Sequence, residues 1–150
     1  MNTKLRTTFS KRQYMLSEDF ELYYYHDSRL SRVDSHAHDY YEFYFFLEGD
    51  VSLFIEGTPH RLRTGDVILL PPGVQHYVTV QDAGIAYRRF VFWISKAYWQ
   101  RLLSVSKDYG YLLQQLPNKR YIFHYDFIGF HALQAKIFSL LEEIHADRFG

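Results

Sequence analysis

The sequence predicts a mainly-β domain, a small antiparallel barrel or sandwich followed by two α-helices. Three observations carry that expectation. Aromatic residues make up 19% of the chain, with 14 Tyr and 13 Phe among 150 residues, and aromatics favour pleated, half-buried surfaces. Short apolar segments run from Glu21 to Ile94, broken at regular intervals by turn residues. After Ser95 the hydrophobic period changes from two toward the helical value. The length is near the commonest size for one domain, and no composition shift or repeat divides it.

The elements follow in order. Residues 1–19 are an N-terminal arm in which Lys4, Arg6, Lys11 and Arg12 precede the first acid, Glu18; the general behaviour of termini predicts a solvated, partly disordered segment. Residues 20–94 supply the barrel in at least seven strands. Residues 36–47 read as one long aromatic strand that stops at Glu48-Gly49-Asp50, and the run that follows, 51–56, is expected to pair with it as a hairpin. Shorter runs at 21–25, 60–63, 67–70, 75–80 and 86–94 complete the set. Residues 95–150 form a helical region. Ser95 is a plausible N-cap for a first helix, 121–124 is a short strand or extended link, and Asp126 caps a second helix reaching about Ala146. Along that second helix Phe130, Leu133, Ile137, Leu140 and Ile144 alternate spacings of three and four, a heptad seam suited to a partner helix in a dimer.

Composition also excludes. The chain has no Cys, so neither disulfides nor thiolate metal sites arise. A formal net charge of +0 argues against this chain alone gripping nucleic acid. The opening residues do not resemble a signal peptide and no segment approaches membrane-spanning length, so a cytoplasmic protein without membrane contact is the expectation.

Four residues stand out as candidate metal ligands: His36, His38, Glu42 and His76. On one continuous strand the first three share a face, and His76 enters from another strand after the rigid turn Pro71-Pro72-Gly73. Three imidazoles and one carboxylate suit one divalent ion such as Zn, Ni, Fe or Mn. Tyr40, Tyr44 and Phe46 fall on the same face of that strand, and with Phe54 they are candidates for stacking on a bound molecule, with simple core packing the competing reading. Arg88 and Arg89 are neighbours on a strand and so face opposite ways; one of them entering the cavity would bind an anion, while exposure of both is the plainer expectation. His26, His60, His124, His131 and His145 lack partners at ligand spacing and are expected at the surface or at caps.

These residues resemble a known family. His36-Ala37-His38, Glu42 and Gly49 are similar to the first cupin motif, and Gly65, Pro71, Gly73 and His76 to the second. Leu30 and Val80 depart from the fullest pattern, where a Gly and an Asn would stand, and neither is a ligand position. Within the cupins the stretches 38–49, 65–76 and 90–95, with the helices behind them, most resemble the N-terminal effector domain of AraC-family transcription regulators. The resemblance implies a cupin (jelly-roll) barrel that binds a small organic effector and a homodimer formed through the C-terminal helix. It also implies contact with DNA only through a helix-turn-helix region, which these residues do not include, as in an excised domain or a regulator reduced to its sensor. Many such regulators sense without a metal, so the His–Glu cluster reads either as an ion site or as a hydrogen-bonded polar floor. The alternative function is a small metal-dependent cupin enzyme, a dioxygenase, isomerase or epimerase; on the sensor reading the domain is not an enzyme.

Overall fold

The computed structural model describes residues 5–10 and 12–146; Lys4, Lys11 and residues 147–150 lie outside the described part. Among the described residues nine strands form two antiparallel sheets facing each other, with the helices behind one of them. The strands are β1 Phe20–Asp27, β2 Arg32–His36, β3 Tyr41–Glu48, β4 Asp50–Ile55, β5 Thr58–Arg61, β6 Asp66–Leu70, β7 His76–Asp82, β8 Tyr87–Ile94 and β9 Ile122–His124. One sheet runs β1-β8-β3-β6-β9 and the other β2-β7-β4-β5. This is the mainly-β, cupin-like architecture that the sequence predicts, followed by α1 (Lys96–Val105), a 3₁₀ segment (Lys107–Asn118) and α2 (Phe127–Ala146).

Two pairings differ from the expectation. The run 36–47 is not one strand: it breaks at residues 37–40, with β2 in one sheet and β3 in the other. Nor do β3 and β4 make a hairpin, since β3 bonds to β6 and β8 while β4 bonds to β5 and β7. Only Gly49 separates β3 from β4, and there the chain turns a corner between sheets at φ +137. A Cβ at this position would stand 3.1 Å from Val51 Cγ2 and 3.3 Å from Tyr87, so the corner excludes larger residues. The tight hairpin lies one step later. Glu56 and Gly57 both have positive φ, as a two-residue turn between β4 and β5 requires.

The five-stranded sheet is buried on both faces, which explains why β3 and β8 are so aromatic. Its inner face meets the other sheet around Tyr44, Phe46, Leu53, Ile68, Val78 and Tyr87. Its outer face, with Leu22, Tyr24, Phe45 and Phe90, is covered by Phe130, Ile137 and Leu141 of α2 and by Leu5 of the arm. Ser95 caps α1 by accepting from Tyr98 N at 3.1 Å, and Asp126 accepts from Gly129 N at 2.7 Å at the start of α2. Each such cap contributes about 1 kcal/mol. Residues 122–124 are a strand on the edge of β6, fastened further by His124 Nδ1 at 2.8 Å from Asp66; this histidine therefore has a partner that its sequence spacing did not show.

The seam on α2 is divided. Phe130 and Ile137 are buried against the chain's own sheet and Leu133 is half-buried there, whereas Leu140 and Ile144 remain 37% and 42% exposed. A sheet outer face rich in Phe competes with a partner helix for the same apolar stripe, and here it takes the first half. Among the described residues no helix is long and apolar enough to cross a membrane.

Candidate functional site

The four candidate ligands converge although they come from three different strands and the segment that crosses between two of them. His36 ends β2 and stands directly opposite His76 at the start of β7. Glu42 lies on β3 in the facing sheet, opposite Trp93 of β8. His38 sits in the segment that crosses between sheets, and its carbonyl accepts from Gly73 N at 2.9 Å, tying the crossing to the turn ahead of His76. The donor atoms of His36, His38, Glu42 and His76 all lie within 4.8 Å of one another. The shared-strand explanation is thus replaced by a junction of two sheets, with the same outcome.

The hydrogen bonds of the imidazoles set their protonation. Each Nδ1 lies at a backbone carbonyl: His36 at Asp34 O (2.8 Å), His38 at Tyr40 O (3.1 Å) and His76 at Val74 O (2.9 Å). A carbonyl only accepts, so Nδ1 carries the proton in all three rings; at His36 and His76 this leaves the Nε2 lone pair for the cluster, whereas His38 Nε2 donates to the Glu42 carboxylate. His38 Nε2 is 2.8 Å from Glu42 Oε2, which also accepts from Trp93 Nε1 at 3.1 Å. Among the described residues His76 Nε2 is buried with no hydrogen-bond partner. Burial pushes the His76 imidazolium down to about 4, against the pull of Glu42. For Glu42, burial alone would raise the pKa, but the His38 hydrogen bond and the neighbouring imidazoles hold it down to about 2. The cluster therefore holds a carboxylate and at least one neutral imidazole at neutral pH.

This arrangement fits a divalent ion. Donors about 2.1 Å from a metal stand roughly 3–4 Å apart, so the cluster needs only a small contraction. The orphaned, buried His76 Nε2 and the three carbonyl-oriented rings are what an ion site requires of its ligands and their supports. When bound there, a divalent ion would polarise an oxygen of a molecule in the adjoining space.

That space is a cavity of about 110 Å³ between the sheets. A cavity of roughly this order holds a molecule of benzene size. His36, Glu42 and His76 form one part of its lining. Apolar walls come from Val33, Leu53, Leu70, Val78 and Val91, and aromatic ones from Tyr25, Tyr44, Tyr87 and Trp93. The arm closes it with Phe9, Ser10, Arg12 and Gln13, so at these residues the expectation of a solvated terminus is not met, while Tyr14 and Leu16 remain exposed. Thr7 N donates to Tyr24 O at 2.8 Å, Leu5 is buried, and Phe9 packs edge-on to Tyr25 at 5.4 Å. Arg12 reaches Glu21 at 3.3 Å and Tyr23 OH at 2.6 Å and lies 5.1 Å over the Trp93 ring.

The sequence-predicted stacking residues are placed differently from one another. Tyr44 lines the cavity and its hydroxyl bonds to that of Tyr87. Tyr40 stacks on His38 at 4.1 Å and contacts Trp93, backing the cluster rather than facing the space. Phe46, 1% exposed, is inner core beside Tyr87. Phe54 is on the other side of its strand: it stacks on Tyr77 at 4.4 Å, while its neighbour Leu53 lines the cavity. Of the two adjacent arginines, for which exposure of both is the plainer expectation and entry of one the alternative, Arg89 is buried among rings inside and Arg88 faces out to Glu48 and Tyr24. Alternation on β8 was the available signal, since Tyr87, Arg89, Val91 and Trp93 must share one face.

Fold and site together define a cupin-type ligand-binding barrel. The chain belongs to the family described as the AraC-like ligand binding domain, whose model matches residues 19–118. Among solved structures it resembles a cupin 2 conserved barrel domain protein from Salinispora arenicola, at 24% identity and TM-score 0.48, over 57% of this chain and 71% of that one. It also resembles a DMSP lyase from Ruegeria pomeroyi, at 27% identity and TM-score 0.47, over 53% of this chain and 40% of that one. A vicilin from Corylus avellana matches at 16% identity and TM-score 0.46, over 53% of this chain and 22% of that one. These likenesses are partial, and the family rests on the match over residues 19–118. No curated protein matches the chain.

Proposed function

We propose that this domain is the sensor of an AraC-type transcription regulator. A small organic effector would bind in the barrel, and its presence would be passed through a dimer to a helix-turn-helix DNA-binding region in the cytoplasm. The observation that carries the reading is the cavity itself, where four strands of one sheet, three of the other and the N-terminal arm contribute to one lining. A molecule bound there touches the arm and both sheets at once, so it makes the differential contacts that a population shift needs. The family's ligand-binding description supports the same role. On this reading the domain binds its effector without turning it over.

The experiment is to purify the chain and identify by mass spectrometry what small molecule denaturation releases. Stoichiometric release of one unmodified compound that rebinds supports sensing. Metal-dependent conversion of that compound would instead make the domain an enzyme. The His–Glu cluster is expected to bind one divalent ion per chain. Replacing both His36 and His38 with Ala should weaken zinc binding by more than about 100-fold, read by competition with a chromophoric chelator. For assembly, the exposed half of the α2 seam supports pairing through Leu140 and Ile144 with half-buried Leu133 beside them. Leu140→Lys with Ile144→Lys should give a folded monomer by light scattering; a dimer in that variant would place the interface elsewhere.

A further inference from the structure

The sensor reading leaves the chemistry of the effector open, and the inference here rests on that reading and narrows it. We propose that the cavity takes a small organic anion, a carboxylate on a compact apolar body, and that Arg89 is the residue that selects it. Arg89 stands in the middle of β8 on the inward face and is 2% exposed. Its guanidinium is held by rings, 4.0 Å from the Tyr87 centroid, 4.8 Å from Tyr25 and 5.2 Å from Phe9 of the arm. All its hydrogen bonds among the described residues run from Nη1, to Asp27 and to Tyr87 O at 3.3 Å. Nε and Nη2 are left on a residue that lines the cavity. A guanidinium stays charged and offers its donors as a planar fork that matches a carboxylate.

Of the other charged groups that line the cavity, Glu42 is engaged by His38 and Trp93, Asp34 pairs with Arg32 at 3.3 Å and Arg12 pairs with Glu21 at 3.3 Å, whereas among the described residues Arg89 keeps Nε and Nη2 open. Asp27, at the end of β1 and outside the cavity lining, is ion-paired with Arg89, so an entering anion meets a guanidinium that is already positioned by four groups. The remaining walls, Val33, Leu53, Leu70, Val78 and Val91, offer no hydrogen bonds from their side chains. They call for an apolar body small enough for the cavity.

The test is calorimetry on the whole chain in the presence of a chelator, so that no ion at the histidine cluster supplies the anion site. The probes are benzoate against benzamide, and isovalerate against isovaleramide. Each acid is expected to bind at least about ten-fold more tightly than its amide, since only the acid forms a charge-assisted pair. Arg89→Lys keeps the charge and loses the fork, and should weaken the acids about ten-fold while leaving the amides unchanged. Circular dichroism checks that the variant folds, and the acid-to-amide ratio in the native chain stands without it. Amides that bind as tightly as acids, or acids indifferent to the Lys substitution, would overturn the anion proposal and leave the ligand cavity standing. Absence of binding by every probe overturns the proposal for compact carboxylates; if mass spectrometry also releases nothing, the cavity reading goes with it.

Discussion

The two faces of β8 are built from similar residues and serve different ends. Outward, Phe90 is fully buried and packs on Tyr24 at 5.4 Å and on Phe138 of α2 at 4.8 Å. Inward, Tyr87, Arg89, Val91 and Trp93 are just as hidden from bulk water, yet they surround a space that the core does not fill. Around Phe90 the outer face is closed by hydrophobic packing, with Arg88 at its edge bonded to Tyr24 and Glu48. The inner face carries the Arg89 charge and looks across the cavity to the imidazoles of His36 and His76, where, among the described residues, the buried His76 Nε2 has no partner and so costs stability unless something binds. Burial by itself therefore does not tell core from site; the polar groups do.

The largest expected effect attacks the closed face. Phe90→Ala should cost about 3–5 kcal/mol, because it leaves a void between the sheet and α2, and the denaturant midpoint should fall accordingly. If the loss is below that of an inner-face change such as Val91→Ala, the contrast between faces is wrong.

Next is acidity on the open face. The His76 pKa is held at about 4, below its ordinary 6.5, so between those values the unfolded chain binds more protons than the folded one. Stability is therefore full above pH 6.5 and falls as pH drops toward 4, by on the order of 3 kcal/mol for metal-free protein. Glu42, held at about 2 from 4.5, adds a loss over the lower window, 4.5 down to 2. His76→Gln should flatten the upper window in thermal melts, and a bound ion should shift the curve by competing with protons.

The smallest effect is on the arm. Arg12→Ala removes a part-buried ion pair with Glu21 and the contact over Trp93. It should cost about 1 kcal/mol or less in global stability while raising amide exchange at residues 5–10, which hydrogen-exchange mass spectrometry reads. Unchanged exchange would mean that Leu5 and Phe9 alone hold the arm.

The strands, both helix caps and the His–Glu set are readable in the sequence because each rests on local chemistry: turn residues, a Ser or Asp before an apolar run, imidazoles near a Pro-Pro-Gly turn. The break within 36–47 is not. Residues 37–40 contain no Gly or Pro, and the chain leaves one sheet for the other through contacts made far away, the Gly73 bond to His38 and the stacking of His38 on Tyr40. Phe54 shows a related limit: alternation says which residues share a face but not which face is inside. The seam on α2 shows a third. A heptad stripe suits a partner helix or a sheet equally well, and only the Phe-rich outer face of β3 and β8 decides for Phe130 and Ile137.

Trp93 and Trp99, the chain's 2 tryptophans, fall one on each side of this boundary. Trp99, on α1, stacks with Tyr41 and Phe43 at 5.1 and 5.4 Å in apolar surroundings. Trp93 lies beneath the Arg12 cation and donates to the Glu42 carboxylate. The molecule thus carries two emitters in opposed electrostatic settings, one blind to the barrel interior and one wired to both the arm and the histidine cluster. Excited where tyrosine does not absorb, a Trp99→Phe chain would glow only from the cavity side, and its emission colour would follow, without any label, what enters the barrel and what leaves it.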